Sequence, residues 1–241
     1  MLTHQDSRFV RGVRAVAALI LCFELVWGYA QEKSVRPGIN NPFRDPNIPE
    51  YIERFETEGR DVYDRRFEVL DALRLRPGMI VADVGAGTGL FTRLIARRVG
   101  VEGKVWAVDI SEKFLRHIEQ SARDEGLGNI RTVLGNDVST NLPPQSVDLV
   151  FICDTYHHFE YPYKMMASIH AALRDGGEVV LIDFHRIEGV SREWILQHVR
   201  AGQEVFVREI EESGFKLVEK IPHLLAESYF LRFRKVSRSE P

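Results

Sequence analysis

Cysteine, excess positive charge and long apolar runs are all scarce in this chain of 241 residues. It contains 2 cysteines, Cys22 and Cys153, and its 32 basic and 35 acidic side chains give a formal net charge of -3. Nucleic-acid-binding proteins usually carry a surplus of basic residues that attracts phosphate groups. This chain has none, so we expect no nucleic acid as a partner. Because Cys22 lies in a segment that we expect to be removed, the mature chain cannot form an internal disulfide.

The first thirty residues have the layout of a secretory signal peptide. Three arginines precede an apolar stretch at residues 15–27, and two small residues around Tyr29 form an A-x-A-like cleavage pattern: Arg8, Arg11, Arg14, Gly28 and Ala30. The stretch is shorter than the roughly 20 residues that a membrane span needs, and Glu24 interrupts it. We therefore expect Sec-type export to the periplasm or out of the cell, with cleavage before Gln31. An uncleaved membrane anchor and a cytoplasmic protein are the alternatives.

About 211 residues remain after cleavage, which is enough for one well-filled α/β core and too few for two. Residues 31–49 are rich in Asn, Pro and Gly, and they predict an irregular tether. Residues 50–75 carry two apolar stripes at helical spacing, separated by Gly59. We expect one domain over residues 50–241 that includes these N-terminal helices.

Three alternating glycines lie in residues 81–91, V-A-D-V-G-A-G-T-G-L-F. A short strand, a glycine-rich turn and a helix recur where nucleotide cofactors lie on a sheet edge, because glycine lets a ligand approach main-chain N–H groups. A dinucleotide fingerprint, G-x-G-x-x-G, would need its third glycine at position 90, where this chain has Leu90. The third glycine is Gly89, which disfavours a nicotinamide oxidoreductase.

Polar residues follow each of the next predicted strands. Residues 104–109 form an apolar strand ending in Asp109, about 20 residues past the glycines, where a carboxylate can accept hydrogen bonds from ribose hydroxyls. The later strands are at residues 130–134 and 147–153, and they lead into Asp137-Val138 and into D-T-Y-H-H-F at residues 154–159. The run at residues 147–153 is continuously apolar, which is typical of a central parallel strand.

The pattern Asp83-x-Gly85-x-Gly87-x-Gly89 resembles motif I of the class I S-adenosylmethionine (SAM) dependent methyltransferases. The segments after the later strands are similar to that family's later motifs, and they occur in the same order. The resemblance implies an α/β fold: a doubly wound, Rossmann-like sheet of seven strands, mostly parallel, with an antiparallel C-terminal hairpin and helices on both faces. It also implies SAM as cofactor and a small molecule as methyl acceptor.

By the same resemblance, cofactor-binding residues are expected at the ends of the first four strands and in the N-terminal helices. Asp109 is expected at the ribose, Asp137 at the adenine amine and Asp154 at the methionine amine. The full set is Tyr63, Asp83, Gly85, Ala86, Gly87, Gly89, Asp109, Ile110, Asp137, Val138 and Asp154. In the N-terminal lid helices, Arg60 and Arg66 are either further contacts to SAM or an anionic substrate, or a solvated helix face.

Catalytic candidates follow the fourth strand: Tyr156, His157 and His158. An imidazole there can take a proton from the acceptor near neutral pH. In the resembled family this segment also serves only to shape the pocket, so a packing role is the alternative.

We predict no metal site. Asp154, Asp183 and His185 are reminiscent of the magnesium ligands of catechol-type methyltransferases, but Mg²⁺ prefers oxygen ligands and the expected Asn is missing. The runner-up function is a non-catalytic SAM-fold protein that serves as a binding or accessory module in the cell envelope.

Overall fold

A seven-stranded sheet runs through the part of the chain that the computed structural model describes, residues 31–236. The predicted signal peptide at residues 1–30 lies outside the described residues. The strand order is β3-β2-β1-β4-β5-β7-β6. The strands are β1 Ile80–Val84, β2 Lys104–Asp109, β3 Ile130–Leu134, β4 Val147–Cys153, β5 Leu173–Phe184, β6 Phe215–Ile221 and β7 Ser228–Lys235.

The first five strands are parallel, and β7 is inserted antiparallel between β5 and β6. This arrangement confirms the predicted Rossmann-like fold with its antiparallel C-terminal strands. The strand order reverses between β1 and β4, because β2 follows β1 on one side and β4 lies on the other. In open α/β sheets, ligands bind in the crevice at the carboxyl ends of the strands at such a switch point.

Helices cover both faces of the sheet. They are α1 Asn41–Arg44, α2 Ile48–Phe55, α3 Asp61–Asp64, α4 Arg66–Ala72, α5 Leu90–Val99, α6 Glu112–Asp124, α7 Pro162–Ala172, α8 Glu193–His198 and α9 Gln203–Glu212. One apolar core joins the sheet to α4, α5 and α6 through residues such as Leu70, Ile95 and Ile118. The other joins it to α7, α8 and α9 through Ile169, Ile195 and Phe206. Burial of β1 and β4 between two cores explains their continuous apolar sequences.

The N-terminal part differs from the predicted tether. Residues 34–44, called the strap below, contain α1 and pack on the domain, with Ile39 and Asn40 buried. The strap is held by the buried Glu160, whose carboxylate accepts hydrogen bonds from Ser34 Oγ at 2.7 Å and from Gly38 N at 3.1 Å. The prediction missed this because the bonds join residues that are far apart in the sequence.

Two further boundaries differ from the sequence-based expectation. The helical region at residues 50–75 is divided into α2, α3 and α4, with Gly59 in a left-handed conformation (φ 88°) at the predicted break. Residues 173–177 contain Asp-Gly-Gly, a sequence typical of a helix end, but they form the start of β5. Val147 pairs with Leu173, and the register shifts before the pairing continues from Glu178, so the strand contains an irregularity at the Asp-Gly-Gly sequence.

Candidate active site

A cavity of about 640 Å³ lies at the carboxyl ends of the central strands. Its floor is formed by the turns after β1, β2 and β4, and its cover by the strap and by the segment from α2 to α3. Polar lining residues include Asp83, Asp109, Asp137, Asp154, His157 and His158, and apolar ones include Phe43, Phe55, Phe159, Phe184 and Trp194. The cavity therefore brings together most of the residues that the sequence singled out.

The glycine-rich turn after β1 is held against β2. The backbone N–H groups of Gly85 and Ala86 donate to the Val108 carbonyl at 2.8 and 3.1 Å. At Gly85, φ is 76° and a Cβ would lie 2.2 Å from Thr155 Cγ2, so only glycine fits. Gly87 also has a positive φ and lines the cavity, as do Gly85 and Ala86.

Gly89 is placed differently from the prediction. It is absent from the cavity lining and precedes α5 in a left-handed conformation, with φ 81°. A Cβ there would lie 2.7 Å from Ile118 Cγ1. Its role in this structure is to start α5 and to allow α5 and α6 to approach closely.

Asp109 ties the glycine turn to the start of α6. Its Oδ2 accepts from Gly87 N and its Oδ1 from Ser111 N, both at 2.9 Å. Burial raises the pKa of Asp109 to about 6, although these backbone hydrogen bonds favour the charged form. Asp109 is 7% exposed and lines the cavity, so its remaining acceptor capacity faces the space where a ribose is expected.

Asp83 lies deeper than Asp109. Its Oδ2 accepts a hydrogen bond of 2.5 Å from Thr92 Oγ1 on α5. Burial raises the pKa of Asp83 to about 7, and the neighbouring Asp109 adds to the shift. Asp83 thus lines the cavity near Asp109, and the pKa of its carboxyl is close to neutral pH.

After β3, Asp137 lines the cavity and binds the strap. Arg44 Nη2 donates to Asp137 Oδ2 at 2.6 Å, and Asn40 Nδ2 donates to Oδ1 at 3.3 Å. Of the two neighbouring candidates for cofactor binding, Ile110 lines the cavity and Val138, which is 37% exposed, does not.

Asp154 and Arg60 form a half-buried ion pair that joins the turn after β4 to the lid helices. Arg60 Nη2 lies 2.6 Å from Asp154 Oδ2, while Asp154 Oδ1 is buried with no hydrogen-bond partner among the described residues. Burial raises the pKa of Asp154, against the opposing effect of Arg60. Tyr63 does not line the cavity. Its ring contacts the Arg66 guanidinium instead, with Arg66 Cζ 4.3 Å from the ring centroid.

The two histidines after β4 lie at the cavity wall, His157 buried and His158 half-buried. His157 Nδ1 lies 2.8 Å from Asp183 Oδ1, and His157 N donates to Asp183 Oδ2 at 3.1 Å. His158 Nε2 lies 3.2 Å from Nε2 of His198, the last residue of α8. Burial and the positive field of neighbouring groups lower the pKa of His158 to about 2 and that of His198 to about 4.

Tyr156 is not at the cavity, which corrects its place among the catalytic candidates. Its side chain is fully buried in the core that joins the sheet to α7, α8 and α9. The Tyr156 ring centroid lies 5.1 Å from that of Phe159 and 4.9 Å from that of Phe206. Successive residues of the short 3-10 turn at Tyr156–His158 point in different directions, so His157 and His158 reach the cavity while Tyr156 faces the core.

The acidic metal site considered above is not assembled. Asp154 is bound by Arg60 and Asp183 by His157, and the His185 ring packs on Tyr229 at 5.5 Å. The sequence-based reasoning also missed several cavity or near-cavity residues: Asn40, Phe43, Arg44, Arg54, Trp194 and His198. For one pair a signal existed, since Trp194 and His198 are four residues apart and therefore share a face of α8.

Residues 81–177 match the family described as "Methyltransferase domain". The chain is 31% identical over 114 residues to the ubiquinone/menaquinone biosynthesis C-methyltransferase UbiE of Hydrogenovibrio crunogenus, covering 47% of this chain and 45% of the relative. It is 30% identical over 118 residues to the demethylmenaquinone methyltransferase of Geobacillus stearothermophilus, covering 49% of this chain and 50% of the relative. The matched region thus spans about half the length of these relatives.

Solved structures share the fold. A SAM-dependent methyltransferase from Aquifex aeolicus superposes with a TM-score of 0.69 at 22% identity, over 78% of this chain and 98% of that one. The [4+2]-cyclase SpnF superposes with a TM-score of 0.62 at 17% identity, over 75% of this chain and 85% of that one. The domain match places a region similar to methyltransferase domains at residues 81–177, and these neighbours show that the chain has the fold predicted for it.

Proposed function

We propose that this chain transfers a methyl group from SAM to a small, largely apolar acceptor bound in the same cavity. The observation that carries the proposal is that one cavity is lined both by the glycine turn with Asp109 and by the two histidines after β4. The glycine turn and Asp109 form a cofactor half in the methyltransferase domain at residues 81–177. His157 and His158 lie in the other half, beyond the end of β4.

The residues of the cofactor half fit SAM. Gly85 and Gly87 leave the backbone open to a ligand, and Asp109 faces the cavity with a carboxylate suited to ribose hydroxyls. Within residues 31–236, Asp154 Oδ1 is a buried acceptor without a partner, and an amine donor of the methionine moiety would satisfy it. When bound, SAM supplies an electrophilic methyl group on a sulfonium.

The acceptor half is rich in aromatic side chains. Phe43, Phe184 and Trp194 line it beside the histidines, and the strap and lid helices cover it. These rings favour a flat or aromatic acceptor, exclude water and restrict its orientation, which is the main requirement of an in-line displacement. In the transfer the bond from sulfur to the methyl carbon breaks, a bond from the acceptor atom to that carbon forms, and S-adenosylhomocysteine leaves.

Activity against a panel of phenols, hydroquinones, thiols and amines tests the proposal. We expect S-adenosylhomocysteine and an acceptor heavier by one methylene to appear together. His157→Ala and His158→Ala should lower turnover while the affinity for S-adenosylhomocysteine changes by less than about 1 kcal/mol, the worth of one neutral hydrogen bond. A control substitution on the outer surface of α6, Asp124→Ala, should leave both unchanged.

A non-catalytic or non-methylating SAM-fold protein is the second candidate. One fold neighbour is described as a [4+2]-cyclase, so this fold alone does not fix the reaction. Tight binding of S-adenosylhomocysteine without methyl transfer to any acceptor in the panel would favour this candidate over the proposed one.

We further propose that the protein is exported, on the strength of the arginines and the apolar stretch in residues 1–30. Gln31 supports cleavage before it, because its side chain bonds to the domain: Gln31 Nε2 donates to the Glu160 carbonyl at 3.1 Å and Tyr163 N donates to Gln31 Oε1 at 3.2 Å. N-terminal sequencing of protein from a bacterial host should give Gln31 as the first residue. Intact Met1 in the soluble cytosolic fraction would contradict export.

A further inference from the structure

We propose that His157, His158 and His198 together bind one divalent transition-metal ion of the zinc type at the wall of the cavity. Each residue offers one ligand nitrogen, and these three atoms lie within 4.8 Å of one another. The ring centroids are 4.3 to 5.1 Å apart, so the imidazoles converge on one small volume.

One of the three nitrogen–nitrogen distances matches the geometry of a tetrahedral ion. With zinc–nitrogen bonds of about 2.0 to 2.1 Å, two ligand nitrogens of a tetrahedron lie about 3.3 Å apart. His158 Nε2 and His198 Nε2 are 3.2 Å apart, close to that edge length. In the absence of an ion, this approach requires one ring to donate a hydrogen to the other, and that hydrogen bond is the competing explanation.

Asp183 supplies the support that metal-binding histidines need. Its Oδ1 lies 2.8 Å from His157 Nδ1, and both side chains are buried. A carboxylate at Nδ1 fixes the ring so that Nε2 carries the lone pair, which is the arrangement found behind histidine ligands of metals. Asp183 in turn accepts from the backbone N–H groups of His157 and Phe184, so it cannot rotate away.

The third ligand is also held in place. His198 stacks on Trp194 with ring centroids 4.9 Å apart and an interplanar angle of 17°. Trp194 packs edge-on against Phe184, which follows directly after Asp183 in β5. The three ligands thus come from the turn after β4 and from α8, and both elements are braced by the end of β5.

The ligand set selects the class of ion. Imidazole suits Zn²⁺, Co²⁺, Ni²⁺ and Cu²⁺, whereas Mg²⁺ prefers oxygen. Three protein ligands leave a fourth position, as in catalytic zinc sites. Because His157 and His158 line the acceptor half, that position can hold an oxygen or sulfur atom of the acceptor, a role that rests on the proposed methyl transfer.

Metal titration of tag-free, chelator-treated protein tests the site without any methyl acceptor. Calorimetry with Zn²⁺ should give one ion per chain, and bound Co²⁺ should show the intense visible absorption of a four-coordinate ion. His198→Ala should weaken zinc binding at least 100-fold, and Asp183→Asn about 10- to 100-fold. His117→Ala removes a histidine from α6, outside the cluster, and should bind zinc like the unaltered protein.

Two controls separate loss of the site from loss of the fold. His198→Cys keeps a zinc ligand and should retain binding, with a changed Co²⁺ spectrum. S-adenosylhomocysteine affinity should be unchanged in every His198 variant, so failure of the metal site and failure of the cofactor site are distinguishable. Two results would overturn the proposal: equal zinc affinity in His198→Ala and His117→Ala, or no stoichiometric zinc binding to the unaltered protein. Either result would mean that the histidines only hydrogen-bond to each other and line the cavity.

Discussion

At the scale of single residues, Asp109 has two tasks that a substitution can separate. It binds the amides of Gly87 and Ser111, and it presents a carboxylate to the cavity. The first task shapes the glycine turn and the start of α6. The second provides the charged acceptor expected at the ribose.

Asp109→Ala is expected to weaken S-adenosylhomocysteine binding by about 1.5 to 3 kcal/mol, the scale of hydrogen bonds to a charged group. Asp109→Asn should fall between this variant and the unaltered protein, because its amide oxygen can still accept from Gly87. Calorimetric titration measures both, with Asp124→Ala as a control acid outside the cavity. Unchanged affinity would mean that the ribose binds elsewhere, and non-cooperative melting would mark Asp109 as mainly structural.

Asp83→Asn is expected to change the pH dependence of stability. The pKa of Asp83 is raised to about 7 from an ordinary value of 3.8, so the folded protein binds a proton more tightly than the unfolded chain does. Its titration therefore leaves the stability unchanged below pH 4 and reduces it by about 1.4 kcal/mol per pH unit as the pH rises toward 7.

Asparagine carries no charge at any of these pH values, so the variant should gain stability relative to the unaltered protein between pH 5 and 7. Urea unfolding at several pH values measures the difference. A constant difference across this range would show that Asp83 is not protonated in the folded protein.

The sequence carried strong signals for some of these residues and none for others. Gly85, Gly87 and Asp109 were predictable because a glycine turn and a strand-terminal acid each have a local pattern. Arg44 was not, since its importance comes from its contact with Asp137, which is distant in the sequence. The spacing of Trp194 and His198 indicated a shared helix face, but not the contact of His198 with His158. Tyr156 was misassigned because a 3-10 turn of three residues has no periodicity from which side-chain direction can be read.

At the scale of elements, the strap is attached at several points to the turn before α7. Besides the two carboxylate bonds of Glu160, Val35 N donates to the Glu160 carbonyl at 2.9 Å. Arg36 Nη2 extends the attachment to the Gln197 carbonyl of α8 at 2.7 Å. A segment whose composition predicts a tether is thereby made part of the cavity cover.

Glu160→Ala should release the strap. The Gly38 amide and the Ser34 hydroxyl lose their acceptor, and we expect a loss of about 1 to 3 kcal/mol in the free energy of unfolding. Limited proteolysis should show faster cleavage within residues 31–49 while the sheet stays resistant. Glu212→Ala, which removes the exposed hydrogen bond from Tyr163, is the matched control. Equal cleavage in both variants would show that the strap is held by its apolar contacts instead.

Some strands of the sheet can be predicted from local sequence, and others cannot. β1, β2 and β4 are apolar runs buried on both faces, so length and composition predict them. The start of β5 is not predictable in this way, because Asp-Gly-Gly is typical of helix ends and only the pairing with β4 makes this segment a strand. Non-local pairing of this kind is not encoded in a short window.

At the scale of the whole molecule, a single sheet with cores on both faces supports the cavity. Ligand binding at the switch point should therefore stabilise the entire domain, since the strands that end at the ligand also form both cores. The fold itself was predictable from the order of glycine turn, acids and apolar strands. The identity of the acceptor was not, because the strap and lid that surround it follow no pattern of their own.

S-adenosylhomocysteine is expected to raise the melting temperature, and NAD is not. At a ligand concentration of 100 times the dissociation constant, the gain in stability is about 2.7 kcal/mol. Thermal melting with each ligand measures it, and adenosine serves as a control that shares the ribose and adenine contacts. A larger shift with NAD would contradict the cofactor-half geometry that Leu90 and Gly89 impose.

The hydrogen bond from Gly87 to Asp109 affects the kinetics of ligand association. Because the turn is already fixed in the free protein, its backbone entropy is lost during folding and not at the moment of association. Binding in the cofactor half should then be close to lock-and-key, with a single kinetic phase. The amide of Gly87 should exchange slowly with deuterium before any ligand is added, and at nearly the same rate afterwards.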